Sequence, residues 1–279
     1  MPTQTAIWID GRPGSELPLP DRGLDFGDGL FETLLFSAGR LMHVERHMQR
    51  LENGLERLGF PASLPQITEQ VTTVATTLRS LAQVDSALRV TISRGPGPRG
   101  YAPPITVRPR IVISVAELGY DWQQQHSPAH LAQASIRWGT QPFLAGIKHL
   151  SRIEQVLAAR ERLAVKADEI VMLDQAGTVV SVSAGNLFLL IGGQLHTPKL
   201  DSCGVTGTRR QLVMERLAPA LGLHTQESRL SVAQLEAADE VFYSNALVGL
   251  RPVCSFGERQ WQRHELCQSL HRQYCLHYE

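Results

Sequence analysis

Ala145-Gly146-Ile147-Lys148-His149-Leu150, running on into Ser151-Arg152-Ile153-Glu154, sets a lysine between an apolar, glycine-containing segment and the start of a helix. Phe143-Leu144 precede the segment, so the amine is expected to be partly withdrawn from water. Desolvation lowers an amine's pKa and makes a lysine a candidate for Schiff-base chemistry. The plain alternative is a surface lysine, which is what most lysines are. Ser151-x-x-Glu154 has the form of a capping box and predicts a helix over Ser151–Val165. Only three of the 27 basic residues are lysines. Lys166 lies at the polar end of that helix, before Ala167-Asp168, and reads as a surface residue. Lys199 follows Pro198 in a loop and stays ambiguous.

The 279 residues carry 27 basic and 27 acidic side chains, a formal net charge of zero. A zero net field argues against a nucleic-acid or membrane-surface partner, since both are bound by basic patches. No apolar run of about 18 residues occurs, so no membrane-spanning helix is expected. The first residues lack a basic region followed by an apolar core, so a cytoplasmic protein is expected. Cys203, Cys254, Cys267 and Cys275 form no CxxC pair, and His43 and His47 lack a third ligand nearby, so no metal is expected.

Outward from Lys148 the pattern is mixed. Strands are expected at 6–10, 30–37, 41–44, 88–93 and 110–115. Helices are expected at 44–58, on the stripe Val44, Met48, Leu51, Leu55 and Leu58, and at 67–81. Further strands are expected at 131–138, 170–173, 179–182, 186–191, 195–197, 240–244 and 250–256. The remaining helices are one opened by Thr208-x-x-Gln211 and a last one at 263–276. Strands and helices do not alternate strictly, so the fold class is α+β in two halves. The polar stretch 118–127 marks the boundary, giving domains 1–119 and 120–279.

Gly95-Pro96-Gly97-Pro98-Arg99-Gly100 matches a dinucleotide fingerprint in letters only. That fingerprint must open a helix, and Pro98, Pro103 and Pro104 block one. The glycines shape a loop with Arg99 and Tyr101 at its tip. Arg99 is a candidate clamp for a carboxylate or, equally, a solvated arginine. Gly204-Val205-Thr206-Gly207-Thr208 precedes a helix, where unsatisfied N–H groups favour an anion such as phosphate. Arg46 could add a guanidinium to the same anion if the fold brings it there. A Schiff-base lysine, a phosphate turn and an arginine together point to pyridoxal phosphate.

Read together, these stretches resemble the fold-type IV pyridoxal-phosphate enzymes, the group of branched-chain and D-amino-acid aminotransferases. Further matching segments are Asp21-Arg22-Gly23, Phe26-Gly27-Asp28-Gly29-Leu30-Phe31-Glu32-Thr33, Arg46-His47 with Gln49-Arg50-Leu51, Asn186-Leu187-Phe188 and Ser244-Asn245-Ala246-Leu247. They follow the family order over almost the whole chain. Within the group the sequence is most similar to the 4-amino-4-deoxychorismate lyases. The resemblance implies a small N-terminal domain and a larger C-terminal domain with a mixed, barrel-like sheet, assembled as a homodimer. It implies that Lys148 carries the cofactor and that Arg46, Val205 and Thr206 hold its phosphate. It places Ser244 and Asn245 at further cofactor contacts, Thr33 beside the reacting carbon, and Arg99 and Tyr101 in the loop that faces the substrate.

One position departs from the family pattern. Where the group has a glutamate against the cofactor's ring nitrogen, shortly before Asn-Leu-Phe, this chain has Ser181, with no acid between Asp174 and Asn186. A serine offers only a neutral hydrogen bond, so the electron sink is expected to be weaker. The reaction implied is 4-amino-4-deoxychorismate to 4-aminobenzoate and pyruvate. Transamination of D- or branched-chain amino acids is the nearest alternative. A non-catalytic cofactor carrier and a plain α+β domain are more distant ones.

Overall fold

In the computed structural model, which describes residues 4–81 and 84–276, the chain forms two compact units. One runs to Asp121 and takes in Ile147–Ser151; the other comprises Trp122–Gly146 and the residues from Arg152 onward. The five residues around Lys148 therefore pack with the N-terminal half.

The first unit contains, in order, β1 (Gln4–Ile9), β2 (Arg12–Pro13), α1 (Arg22–Phe26), β3 (Gly29–Ser37), β4 (Arg40–Leu41), α2 (Val44–Arg57), α3 (Leu64–Ser80), β5 (Ser86–Ser93) and β6 (Arg110–Glu117). Its strands form an antiparallel sheet in the order β2-β1-β6-β5-β3-β4. Strand alternation explains its core. Leu30 pairs with Ile92, Leu34 with Leu88, Val90 with Ile113 and Leu88 with Val115, and all are buried on one face. The helices cover a core through Met48, Leu51 and Leu55 of α2 and Ile67, Val71, Val74 and Leu78 of α3, at helical spacing. Glu32 shares the buried strand face and is neutralised there. Its carboxylate accepts from His47 Nδ1 at 2.7 Å and from Arg50 Nε at 2.7 Å, both on α2. His47 is thus a partner of Glu32 inside the core.

The second unit continues with β7 (Ala129–Gln133), α4 (Ile153–Ala164), β8 (Glu169–Leu173), β9 (Val179–Val182), β10 (Asn186–Ile191), β11 (Gln194–Pro198), α5 (Thr208–Leu212), α6 (Ala218–Ala220), β12 (Thr225–Ser228), α7 (Val232–Ala237), β13 (Glu240–Asn245), β14 (Gly249–Phe256), β15 (Arg259–Gln260) and α8 (Glu265–Leu276). The sheet is mixed, in the order β12-β11-β10-β13-β14-β7-β8-β9 with β15 on β14. It curls, because a bridge between Val182 and Gly185 sets the end of β9 against the approach to β10. Both faces are buried. Val171, Leu173, Leu187 and Val241 point into one core, and Ile170, Met172, Val180 and Trp138 into a second. No helix among the described residues is long and apolar enough to cross a membrane.

Several local expectations are corrected. The helix after Lys148 starts at Ile153 with Arg152 as its cap residue and no side-chain cap. Glu154 turns instead to the backbone of Gly139, accepting its N–H at 2.7 Å. Thr208 lies inside α5, whose cap residue is Gly207. A reciprocal capping box does exist, between Ser231 and Gln234 at the start of α7, an element the sequence pattern missed. The strand expected over 131–138 ends at Gln133, because Glu161 of α4 takes the backbone N–H groups of Ser135 and Ile136. Trp138 keeps a single bridge to Asp174.

Candidate active site

The candidate residues fall into two groups, one in each unit. In the first unit the segment at Lys148 runs beside β3. Phe31 N–H donates to Lys148 O at 2.9 Å, Leu150 N–H donates to Gly29 O at 2.9 Å, and Leu30 bridges His149. This pairing places Lys148 Nζ 4.2 Å from the centre of the Phe31 ring. The apolar partner is therefore Phe31, not the expected Phe143, which is exposed. Thr33 lies two residues along β3 from Phe31, on the same strand face, and is half-buried.

The sequence reading missed Arg89. It sits directly across from Thr33 in the β3–β5 register, and its guanidinium carbon is 4.0 Å from the centre of the same Phe31 ring. Its side chain is exposed overall, and partial desolvation against the sheet lowers its pKa. Its side chain makes no hydrogen bond or ion pair among the described residues. Its only sequence signal was an arginine in a strand whose other residues are apolar or small. Phe31 thus carries two cations, one of them an amine. Arg46 stands in the first turn of α2 and is half-buried. Arg99 and Tyr101 lie on the exposed 94–109 loop.

In the second unit Gly146, two residues before the lysine, threads against the 204–206 turn. Its N–H donates to Gly204 O and its carbonyl accepts from Thr206 N–H, each at 3.0 Å. Gly146 has φ of +86°, and a Cβ there would lie 3.0 Å from the Thr206 hydroxyl, so the position suits glycine. Thr206 N–H is thereby engaged by the chain itself, which takes it off the list of backbone donors expected for a phosphate. Val205 O accepts from Asn186 Nδ2 at 2.9 Å, and Asn186 is paired across the sheet with Ser244. Ser244 is fully buried, and its hydroxyl has no partner among the described residues. The Asn245 side-chain oxygen accepts from the N–H groups of Leu247 and Val248, at 3.0 and 2.8 Å, and so fixes its own turn. Ser181 is buried on β9 and accepts a hydrogen bond from Trp138 Nε1 at 3.2 Å.

Of the other lysines, Lys166 is exposed beyond the end of α4, with φ of +55°. Lys199 is half-exposed and paired with Asp201 at 3.1 Å.

Comparison with known proteins follows the same lines. The family model for class IV amino-transferases matches residues 29–256. An aminodeoxychorismate lyase from Vibrio harveyi is 33% identical over 253 residues, covering 88% of this chain and 90% of its own. The crystal structure of 4-amino-4-deoxychorismate lyase from Pseudomonas aeruginosa is 39% identical, with a TM-score of 0.88, over 96% of this chain and 97% of that one. A putative branched-chain-amino-acid aminotransferase from Methanocaldococcus jannaschii is 27% identical over 259 residues, covering 88% and 86% of the two chains. With the sheet, the lysine segment and the glycine-rich turn placed as described, the chain belongs to the class IV amino-transferase family.

Proposed function

We propose that this protein is a pyridoxal-phosphate-dependent lyase that converts 4-amino-4-deoxychorismate to 4-aminobenzoate and pyruvate, a step towards folate. The observation that carries the reading is Lys148, whose amine is held at the Phe31 ring by the backbone pairing of Lys148 and Leu150 with β3. The choice of a lyase over a transaminase is supported by the two lyase relatives, at 33% and 39% identity, against 27% for the aminotransferase.

The residues present fit the cofactor. Among the described residues the Ser244 hydroxyl is buried with no hydrogen-bond partner, a cost that a polar ligand atom removes. Lys148 Nζ is the attachment point. Val205 N–H, the Thr206 side chain, Ser244 and Arg46 are the proposed phosphate contacts, with Asn245 shaping the turn that follows Ser244. Ser181 is the proposed neighbour of the ring nitrogen, its oxygen already accepting from Trp138. When bound, pyridoxal phosphate supplies an electron sink for the bond broken beside the amine nitrogen.

The chain's own groups do the rest. Lys148 Nζ takes the proton from the substrate carbon that bears nitrogen. Lys148 or Thr33 returns a proton to the departing enolpyruvyl group. The Phe31 ring covers one side of the amine and fixes where it lies. The substrate has two carboxylates, and Arg89 and Arg99 are the proposed partners. Arg89 is the better placed to act beside Thr33, which it faces directly across the β3–β5 register.

A homodimer is also proposed. Ile153, Val156, Leu157 and Leu163 leave an apolar stripe exposed along α4, the kind of surface a partner subunit covers. Among the described residues the four cysteines form no disulfide, which fits a reducing, cytoplasmic setting. The deciding experiment supplies purified enzyme with 4-amino-4-deoxychorismate and follows 4-aminobenzoate by fluorescence. No product there, with keto-acid turnover from an amino acid and 2-oxoglutarate, would replace the lyase by a transaminase.

A further inference from the structure

The loop between β5 and β6, residues 94–109, has no helix or strand and contains five prolines, so few of its own N–H groups can brace it. It carries Arg99, Gly100, Tyr101 and Ala102 into solvent. A segment of this kind is ordinarily the least stable part of a domain. Here three of its consecutive carbonyls converge on one buried side chain, Arg22, at the start of α1. Arg22 Nη1 donates to Gly100 O at 3.1 Å and to Ala102 O at 3.2 Å, and Nη2 donates to Tyr101 O at 2.8 Å.

The guanidinium is itself held in place. Arg22 Nε donates to Asp28 at 2.8 Å, and Asp28 is shared with Arg94, whose Nη groups reach the carbonyls of Leu58 and Gly59. The Arg22 backbone N–H donates to Gly95 O at 3.0 Å, at the root of the loop. The Phe26 ring lies 4.8 Å from the guanidinium carbon and 5.4 Å from the Tyr101 ring. Gly97 leaves room for the strut, since a Cβ there would come within 2.7 Å of Arg22 Cδ. Only a planar fork of donors can serve three carbonyls and a carboxylate at once; an ammonium cannot.

We propose that Arg22 is a positioning residue for substrate binding. It holds the 99–102 stretch in the shape in which Arg99 and Tyr101 meet the substrate, without taking part in the chemistry. The proposal rests on the reading above that this loop faces the substrate. It is tested on the cofactor-loaded enzyme with Arg22→Lys, which keeps a charge for Asp28 but loses the fork, and with Arg22→Met. Three quantities are read: the cofactor's visible band, KM and kcat for the lyase reaction, and the rate of limited trypsin cleavage after Arg99 with chymotrypsin cleavage after Tyr101.

The expected result is an unchanged band, cleavage faster by about tenfold or more, and KM raised about tenfold with kcat within about threefold, in both variants. Gly97→Ala, which presses on Arg22 without removing it, is expected to shift KM and cleavage in the same direction by less. It keeps the test open should Arg22→Met fail to fold. Unchanged cleavage in Arg22→Lys overturns the proposal, as does a loss of kcat with KM unmoved. If the loop opens and KM stays put, the proposal also falls. Arg99→Ala then shows where the fault lies: a raised KM in that variant keeps the substrate-facing loop and rejects Arg22's role, and an unmoved KM rejects the loop assignment itself.

Discussion

Lys148 and Ser181 make the sharpest demands on the proposed chemistry. Lys148→Ala is expected to abolish the borohydride-sensitive visible band and to lower turnover by at least about 10³-fold, since attachment point and base are lost together. Lys199→Ala, which removes only a half-exposed partner of Asp201, is expected to leave both unchanged. A visible band that survives in Lys148→Ala and disappears in Lys199→Ala would move the attachment point. Ser181 raises a different question, because a hydroxyl fed by an indole N–H cannot hold a proton on a ring nitrogen as a carboxylate does. Under the proposed reaction, aromatisation of the product helps drive the step, so a modest electron sink is expected to suffice. Ser181→Glu is accordingly expected to change lyase kcat by less than about threefold. A gain of tenfold or more would mean that the serine limits catalysis. The residue scale is also where sequence reading was uneven. Lys148 stood out by its neighbours, but its ring partner Phe31 is 117 positions away by number (148 − 31) and had no local sign. Arg89 was hidden for the same reason: a guanidinium becomes a candidate through what lies across the sheet, here Thr33.

Between elements, the decisive contact is that of β3 with α2 through Glu32. Burial pushes this carboxyl's pKa up, but the charge of Arg50 and the hydrogen bond from His47 outweigh it and bring it down to about 2. A carboxyl lowered in the folded state stabilises the fold at pH above its unfolded value of about 4.5, and that contribution is lost as pH falls from there towards 2. Wild-type urea midpoints should therefore drop over this window. Glu32→Gln leaves Arg50 and His47 without their acid, and is expected to cost about 3 kcal/mol at pH 7. Its midpoint should converge on wild type as pH falls from about 4.5 to 2. Parallel curves would show that Glu32 does not titrate with folding. Element boundaries were legible where apolar spacing set them, as in β3, α2, α3 and β13. They were misread where a distant group claimed a local donor. Ser151-x-x-Glu154 has the letters of a capping box, yet Glu154 serves Gly139, and Glu161 peels residues 135 and 136 from the strand expected there. Such rivals lie 15 to 26 residues away, beyond any four-residue motif.

For the whole molecule, the two-part α+β architecture was visible in the ordering of strands and helices and the mixed sheet was implied by the family resemblance, but which strand pairs with which was not visible in the sequence. Parallel partners such as β14 with β7 lie more than a hundred residues apart in sequence, and nothing in a strand's own composition names its neighbour. The exposed α4 stripe gives the proposed dimer a direct test. Val156→Asp adds a charge at an exposed site and is expected to alter stability by no more than about 0.5 kcal/mol. It should convert the dimer to monomer in light scattering at micromolar concentration. An unchanged mass in that variant would move the interface elsewhere.

The pairing of Leu30 with His149 also has a consequence for synthesis on the ribosome. At about 5–20 residues per second, the 119 residues that separate them (149 − 30) take roughly 6 to 24 s to translate. Over that interval β3 can be joined to β5 on one side, while near Phe31 its other side waits for the lysine segment, because β4 reaches only Phe36 and Ser37. A nascent chain thus exposes a strand edge flanked by Leu30, Phe31, Leu34 and Leu35, the kind of edge that recruits other chains. Pausing in the first half of the message is expected to prolong that exposure, which ends when the lysine segment pairs with this edge.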